Sequence, residues 1–154
     1  MPNEKAYLTA ITRKTLSLPT KFLQAAGLLV GRILDYGCGR GFDCDALGCD
    51  GYDPHWRPGP ISGYYDTIFC NYVLNVIDNA SDRATVLYLI QCQLTNEGKA
   101  YIAVRNDKFT PGYTSKGTWQ GYINLNLPVI KKNSNFVIYV LNKDDCLDNV
   151  EANK

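Results

Sequence analysis

The apolar positions of this chain follow two periods, and the switches between them outline an α/β domain. Leu8, Ile11, Leu16, Leu18, Phe22 and Leu23 recur at helical spacing, interrupted at Ser17-Leu18-Pro19. The pattern predicts a short irregular arm and then a helix from Pro19 to Ala26, with Pro19 in its first turn, Ser17 or Thr20 as cap and Gly27 as stop. Arg32 to Tyr36 reads as a strand, and Gly37, Gly39 and Gly41 follow it at alternate positions. A short helix is predicted from Gly41 to Leu47, ended by Gly48, and a brief strand from Asp50 to Tyr52.

A doubly wound sheet would now need a helix, a strand and a further helix. Only His55 to Tyr65 intervene, and Pro54, Pro58, Gly59, Pro60 and Gly63 block regular structure there. The chain is therefore expected to loop straight into a strand from Tyr65 to Cys70, leaving one sheet edge abbreviated. A helix over Ser81 to Leu94 follows, capped by Ser81 or Asp82, with Val86, Leu87, Leu89, Ile90 and Leu94 as its buried stripe. Asn96 to Lys99 reads as a turn into a strand from Ala100 to Arg105. After a polar loop over 106–118, Trp119 to Leu127 and Asn135 to Leu141 are predicted as an antiparallel strand pair that completes the sheet. The expected organisation is an N-terminal basic arm and helix (1–28), a ligand-binding domain (29–142) and a tail (143–154) that frays.

Bulk composition narrows the class. At 154 residues the chain suffices for one domain with a real core, and its 45% hydrophobic and 20% charged residues fit a globular protein rather than a disordered one. A net charge of +1 gives no global attraction to nucleic acid or anionic membrane, although Lys5, Arg13, Lys14 and Lys21 make the arm locally basic. That arm is either a solvated face or a segment that touches an anionic substrate or closes over a ligand. No apolar run approaches the roughly 20 residues of a membrane span, and Met-Pro-Asn-Glu-Lys lacks a signal-peptide core, so a cytoplasmic protein is expected. The six cysteines are expected to be free thiols in that compartment. Metal binding by Cys38, Cys44 and Cys49 is the alternative, although there is no C-x-x-C pair and His55 is the one histidine.

The candidate chemistry sits between Arg32 and Pro54. Glycines after a buried strand let a ligand approach the backbone, and an acidic residue ending the next strand, Asp53, suits ribose hydroxyls. The nicotinamide fingerprint G-x-G-x-x-G is not matched, because the glycine after Gly39 comes one position early, and the phosphate-cradling G-x-x-x-x-G-K-[ST] is absent. Loops at the carboxyl ends of parallel strands line the ligand cleft, which places Asn71, Tyr72 and Val73 beside it.

Asp35-Tyr36-Gly37-Cys38-Gly39-Arg40-Gly41 resembles the first motif of class I S-adenosylmethionine-dependent methyltransferases. Gly51-Tyr52-Asp53-Pro54 and Tyr65-Asp66-Thr67-Ile68-Phe69-Cys70-Asn71-Tyr72-Val73-Leu74 resemble that superfamily's acidic second-strand end and its fourth-strand motif. Thr9-Ala10-Ile11-x-Arg13-Lys14-x-Leu16-Ser17-x-Pro19, taken with the glycine motif, is similar to small bacterial and phage methyltransferase-like domains, including those associated with DNA phosphorothioation. The resemblance implies a compact Rossmann-like α/β sheet, shortened after its second strand and closed by a C-terminal antiparallel pair. It also implies S-adenosylmethionine as cofactor, held by Asp35, Gly37, Cys38, Gly39, Gly41, Asp53, Pro54, Asn71, Tyr72 and Val73, with Asp53 taking both ribose hydroxyls.

The implied reaction is methyl transfer to an oxygen or nitrogen acceptor, with nucleic acid narrowly preferred over a small molecule and Arg13 and Lys14 as substrate contacts. A non-catalytic cofactor-binding module, working with a protein partner or as a homodimer, is the alternative. Tyr72, His55 and Asp107 are candidate bases, and His55 or Trp56 is placed to cover the adenine. The shortened segment lacks the usual third-strand acidic residue that reads the adenine amino group, which leaves backbone or residues such as Ser62 and Tyr64 for that role. Asn71-Tyr72-Val73-Leu74 is not the Asn-Pro-Pro-Tyr type of base amino methyltransferases, and no cysteine has a cytosine-C5 nucleophile context.

Overall fold

The computed structural model describes residues 5–152. Residues 1–4 and 153–154, which hold the start of the expected arm and the end of the expected tail, lie outside the described residues.

A six-stranded sheet forms the centre. Its strands are β1 (Ile33–Tyr36), β2 (Asp50–Tyr52), β3 (Tyr65–Asn71), β4 (Leu94–Arg105), β7 (Val129–Lys132) and β8 (Phe136–Asn142), in the order β2-β1-β3-β4-β8-β7. The first four are parallel, and β8 and β7 add antiparallel at the far edge. Two short strands, β5 (Gly112–Tyr113) and β6 (Trp119–Gln120), form a separate antiparallel pair. The helices are α1 (Leu18–Ala25), α2 (Phe42–Leu47) and α3 (Ala80–Cys92).

The alternating strand residues divide into two cores, as a sheet covered on both faces requires. Leu34, Ile68, Cys70, Ile102, Val104, Tyr139 and Leu141 pack with Leu87 and Ile90 of α3. Phe69, Tyr101, Ala103, Ile138 and Val140 pack with Leu23 of α1. The chain runs from β2 to β3 without helix or strand, as the proline-rich segment predicts. There Asp53 and Arg57 exchange backbone hydrogen bonds of 3.0 Å, and Arg57 pairs with Asp45 at 2.6 Å.

Several local expectations are corrected. Ser17 takes the N-cap position of α1 but makes no side-chain cap bond; its hydroxyl and that of Thr20 each lie 2.6 Å from Asp43 Oδ2, and its amide donates to Asp43 Oδ1 at 3.1 Å. The cap of α3 is Asn79, whose side chain accepts from the Asp82 amide. Leu89 is exposed, and Arg83 takes a place in the buried stripe. β4 begins before the Asn96–Lys99 segment, which forms a bulge: Tyr65 faces Leu94, and Thr67 faces Lys99. A side chain at Gly98 would press on the Tyr65 carbonyl, 2.8 Å from an added Cβ.

Beside β4, the antiparallel partner of β8 is β7 and not Trp119 to Leu127. Ile123 and Leu125 are buried at alternate positions, but that stretch bonds to the tail, with Leu125 bridging to Glu151 and Asn126 donating to the Val150 carbonyl. Through residue 152 the tail is therefore packed: Val150 is in the core, and Glu151 forms a two-pronged pair with Arg83 at 2.8 and 2.9 Å. Arg83 is nearly buried and also donates to the Ile77 carbonyl, so it depends on Glu151 for its counter-charge. Glu151→Ala is expected to lower stability by about 1–3 kcal/mol in urea unfolding, the cost of stranding a buried donor set.

Candidate functional site

A cavity of about 700 Å³ opens at the carboxyl ends of β1, β2 and β3. Its walls are the glycine loop, the end of β2, the turn after β3 and the N-terminal arm. The structure brings Asp35, Gly37, Cys38, Gly39, Gly41, Asp53, Pro54, Asn71, Tyr72 and Val73 together around it. His55, Arg13 and Asp107 also line it, whereas Lys14 is exposed outside. Ser62 and Tyr64 lie outside the cavity as well, with Tyr64 62% exposed, so the suggestion that they read an adenine is withdrawn.

The glycine loop has already used the amides that would hold a phosphate. Gly37 and Cys38 donate to the Tyr52 carbonyl at 2.7 and 2.9 Å, Gly41 to the Cys38 carbonyl at 3.0 Å, and Gly39 to Asp53 Oδ2 at 3.0 Å. Gly39 is left-handed, with φ +57°, and an added Cβ would lie 3.3 Å from that of Ala10 in the arm. The loop thus offers bare backbone to the cavity and little attraction for an anion.

Asp35 is the penultimate residue of β1, just before this loop. Its carboxyl is 4% exposed, borders the cavity, and receives no hydrogen bond from any described residue. Burial pushes its pKa well above the ordinary carboxylate value, and the nearby Cys44, Asp43 and Asp53 add to the rise, with Arg13 opposing. Arg13 reaches the cavity from the arm and makes no hydrogen bond or ion pair with a described residue.

Asp53 is heavily used. Oδ1 accepts from the amides of His55 and Trp56, both at 2.9 Å, and Oδ2 accepts from Gly39. A carboxylate has about four acceptor sites, so one remains for a ligand hydroxyl rather than the two expected. His55 stacks on Tyr7 at 3.8 Å between centroids, and Trp56 donates to the Tyr7 carbonyl while Arg40 lies 4.2 Å over its ring. These contacts strap the arm across the loop after β2.

Asn71 is fixed by proton bookkeeping. Its Nδ2 donates to Ser17 Oγ at 3.0 Å and Thr20 Oγ1 at 2.8 Å, two hydroxyls whose own protons go to Asp43. The amide oxygen of Asn71 is consequently buried with no partner among the described residues. Tyr72 follows with φ 61°, a left-handed conformation uncommon for a non-glycine residue, held by its amide bond to the Ala103 carbonyl at 2.8 Å.

Two of the three candidate bases, Tyr72 and Asp107, fare poorly. Burial raises the Tyr72 hydroxyl, keeping it protonated. A two-pronged bond from Arg105, at 2.6 and 2.8 Å, holds the Asp107 carboxyl below its usual range. The cysteines are free, and among the described residues no group of three or more His, Cys, Asp or Glu is placed to hold a metal ion. Cys38 and Cys44 both lie close to Gly51, with their thiols donating to the Gly39 and Gly41 carbonyls, and the neighbouring Cys38 and Arg57 lower the pKa of the Cys44 thiol. The pattern of the sequence did not single out Asn75, Arg105 or Gln120, which line the same cavity.

No protein-family model and no curated protein sequence matches the chain. Solved structures do. The 1,6-didemethyltoxoflavin-N1-methyltransferase of Burkholderia thailandensis, with bound 1,6-didemethyltoxoflavin and S-adenosylhomocysteine, superposes with a TM-score of 0.53 over 79% of this chain and 74% of that one, at 15% identity. The DhpI–SAH complex gives 0.52 over 79% and 81%, at 13% identity. The SAH-bound magnesium protoporphyrin IX methyltransferase of Synechocystis PCC 6803 gives 0.50 over 90% and 94%, at 13% identity. The chain has the Rossmann-like methyltransferase fold. At these identities the likeness is one of fold. The loop that joins β2 to β3 without helix or strand also carries the strap onto Tyr7. Among the described residues no helix is long and apolar enough to cross a membrane.

Proposed function

We propose that the chain is an S-adenosylmethionine-dependent methyltransferase that acts on an oxygen or nitrogen of a small molecule. The observation that carries this reading is the unpartnered, buried Asp35 carboxyl below a glycine loop whose own bonds leave it few donors for phosphate. Such a site favours a cation and disfavours a pyrophosphate, which fits an amino acid-bearing sulfonium better than a dinucleotide.

Asp35 accepts from the cofactor's ammonium. Arg13, on the arm, takes its carboxylate, a role that replaces the substrate contact first assigned to it. Gly37 and Gly39 leave room for the chain of the cofactor, and the free acceptor site of Asp53 takes one ribose hydroxyl. When bound, the sulfonium supplies an activated methyl group. The protein's part is then alignment of an acceptor beside Tyr72 and Asn71. Since Tyr72 stays protonated and Asp107 is committed to Arg105, His55, which lines the cavity and stacks on Tyr7, is the one of the three left to take a proton, unless the acceptor carries a free lone pair.

Three features weigh for a small molecule over nucleic acid: Arg13 faces the cavity, the arm is strapped across the loop, and the fold neighbours include enzymes named for small-molecule substrates. The loss of Tyr72 and Asp107 as bases also suits the non-catalytic module. Release of S-adenosylhomocysteine from purified protein, S-adenosylmethionine and a panel of hydroxyl- and amino-bearing small molecules tests the two readings. Turnover on any member supports the enzyme; binding without turnover throughout supports the module.

Asp53→Ala is expected to weaken S-adenosylhomocysteine binding by about 1–3 kcal/mol, because it removes one ligand acceptor and strands three loop amides. Unchanged calorimetric affinity in the folded variant would remove Asp53 from the site.

A further inference from the structure

The cavity has a second end, on the far side of β3 from the glycine loop and Asp53, where Tyr72 follows β3 and Arg105 ends β4. This end presents donors. The Tyr72 hydroxyl has no hydrogen-bond partner among the described residues. Burial raises its pKa, with Arg13 opposing, Asp107 adding and Arg105 opposing, so it keeps its proton and those three cavity-lining side chains lie near it. Gln120 Oε1 accepts from Asn75 Nδ2 at 3.0 Å and from Arg105 Nη1 at 3.3 Å. A guanidinium only donates, so the Gln120 atom facing it is the oxygen, and Gln120 Nε2 is left without a partner among the described residues. The unpartnered polar atoms sealed from solvent at this end are the amide oxygens of Asn71 and Asn75; the Tyr72 hydroxyl and Gln120 Nε2 are not sealed. Arg105, with its side chain 27% exposed, keeps one N–H on each terminal nitrogen beyond its bonds to Asp107 and Gln120.

The acceptors of this end are engaged or out of reach. Asp107 turns both carboxylate oxygens to Arg105, at 2.8 and 2.6 Å, Gln120 Oε1 already holds two donors, and the two sealed amide oxygens meet no ligand. Two guanidiniums, Arg13 and Arg105, stand here against the one Asp107 carboxylate. Open donors with an excess of positive charge select an anion through charge-assisted hydrogen bonds. We infer that the methyl acceptor is a carboxylate, received by Tyr72, Gln120 Nε2 and Arg105, and that one of its oxygens takes the methyl group. A carboxylate is ionised at neutral pH, so no base is needed. An oxygen lone pair forms the new O–C bond, the C–S bond breaks with its electron pair going to sulfur, and the products are a methyl ester and a neutral thioether. The inference deepens the methyltransferase reading above and rests on it.

Binding and transfer test it separately. With the protein saturated by S-adenosylhomocysteine, benzoate and its neutral isostere nitrobenzene are titrated by ligand-observed NMR. Benzoate is expected to bind about tenfold tighter, since hydrogen bonds to a charged group are the stronger ones. Tyr72→Phe, which removes only the hydroxyl, should erase most of that preference while S-adenosylhomocysteine still binds; Gln120→Met should reduce it and serves as the second variant if Tyr72→Phe fails to fold. With S-adenosylmethionine, a panel of benzoate, phenylacetate and hexanoate beside benzyl alcohol and benzylamine should yield methyl groups released as methanol by alkali, the mark of an ester, from carboxylates alone. Nitrobenzene binding as well as benzoate, a preference unchanged in both variants, or no alkali-labile product while S-adenosylhomocysteine binds overturns the carboxylate assignment. Failure of the wild-type protein to bind S-adenosylhomocysteine instead overturns the underlying methyltransferase reading.

Discussion

Asp35→Asn is expected to weaken S-adenosylhomocysteine binding by about 100-fold or more while making the ligand-free protein more stable. The two effects have one cause. Truncating one member of a desolvated charge pair costs about 2–5 kcal/mol of binding. Without ligand, the same carboxyl is buried with no donor, and removing its charge relieves about 1–3 kcal/mol. The sign follows from the raised pKa. The folded protein keeps the Asp35 proton at pH values where the unfolded chain, near 3.8, has lost it. Stability from this group is therefore greatest below that value, falls as pH rises toward the folded-state pKa, and stays at its reduced level above it. The melting difference between Asp35→Asn and wild type should accordingly widen with pH across that window. Ligand binding should release a proton, because the arriving ammonium favours the Asp35 carboxylate. Calorimetry in buffers of different ionisation enthalpy reads this directly, and no proton release with equal affinity in the variant would take Asp35 out of the site.

Gly39→Val is expected to abolish detectable binding of S-adenosylhomocysteine with the fold retained. The residue holds φ +57° between the cavity and the arm. A β-branched residue there incurs about 1–3 kcal/mol of backbone strain, meets Ala10, and fills the path along the loop. Gly48→Ala separates strain from obstruction. Gly48 has φ +68°, and an added Cβ meets nothing within 4 Å, so this variant should lose stability yet keep its affinity. Equal loss of affinity in both variants would mean that strain alone, and not the cofactor path, explains Gly39.

The parts of the fold that were legible in the sequence are those fixed by local chemistry. β1 follows from an apolar run ended by Gly37, β2 from a short segment closed by Asp53-Pro54 and β3 from the run Thr67 to Cys70, and the missing crossover follows from the proline-rich segment after Asp53. The errors lie where distant partners decide. The alternation of Ile123 and Leu125 is real, but its partner is the tail, which no local pattern reveals. β7 has the opposite character: Val129 and Ile130 are exposed beside Lys131 and Lys132, an edge strand with little apolar contrast to detect.

The candidate site divides the same way. Asp35, Gly39, Asp53 and Asn71 fall in motifs, so their places around the cavity were legible. That Asp53 also accepts from Gly39, and that Asn71 is locked by Ser17, Thr20 and Asp43, depends on pairs 14 to 54 residues apart, whereas the Asp53 bonds to the His55 and Trp56 amides are local. Asn75, Gln120 and Arg105 form one string across 45 residues, and nothing in the local sequence of any of them signals it.

The central claim is that this cavity takes an amino acid-bearing sulfonium nucleoside. Calorimetric titration of the purified chain with S-adenosylmethionine, S-adenosylhomocysteine and NAD tests it most directly. The account predicts saturable one-to-one binding of the first two and none of NAD; binding of NAD with no response to either S-adenosyl compound would contradict it.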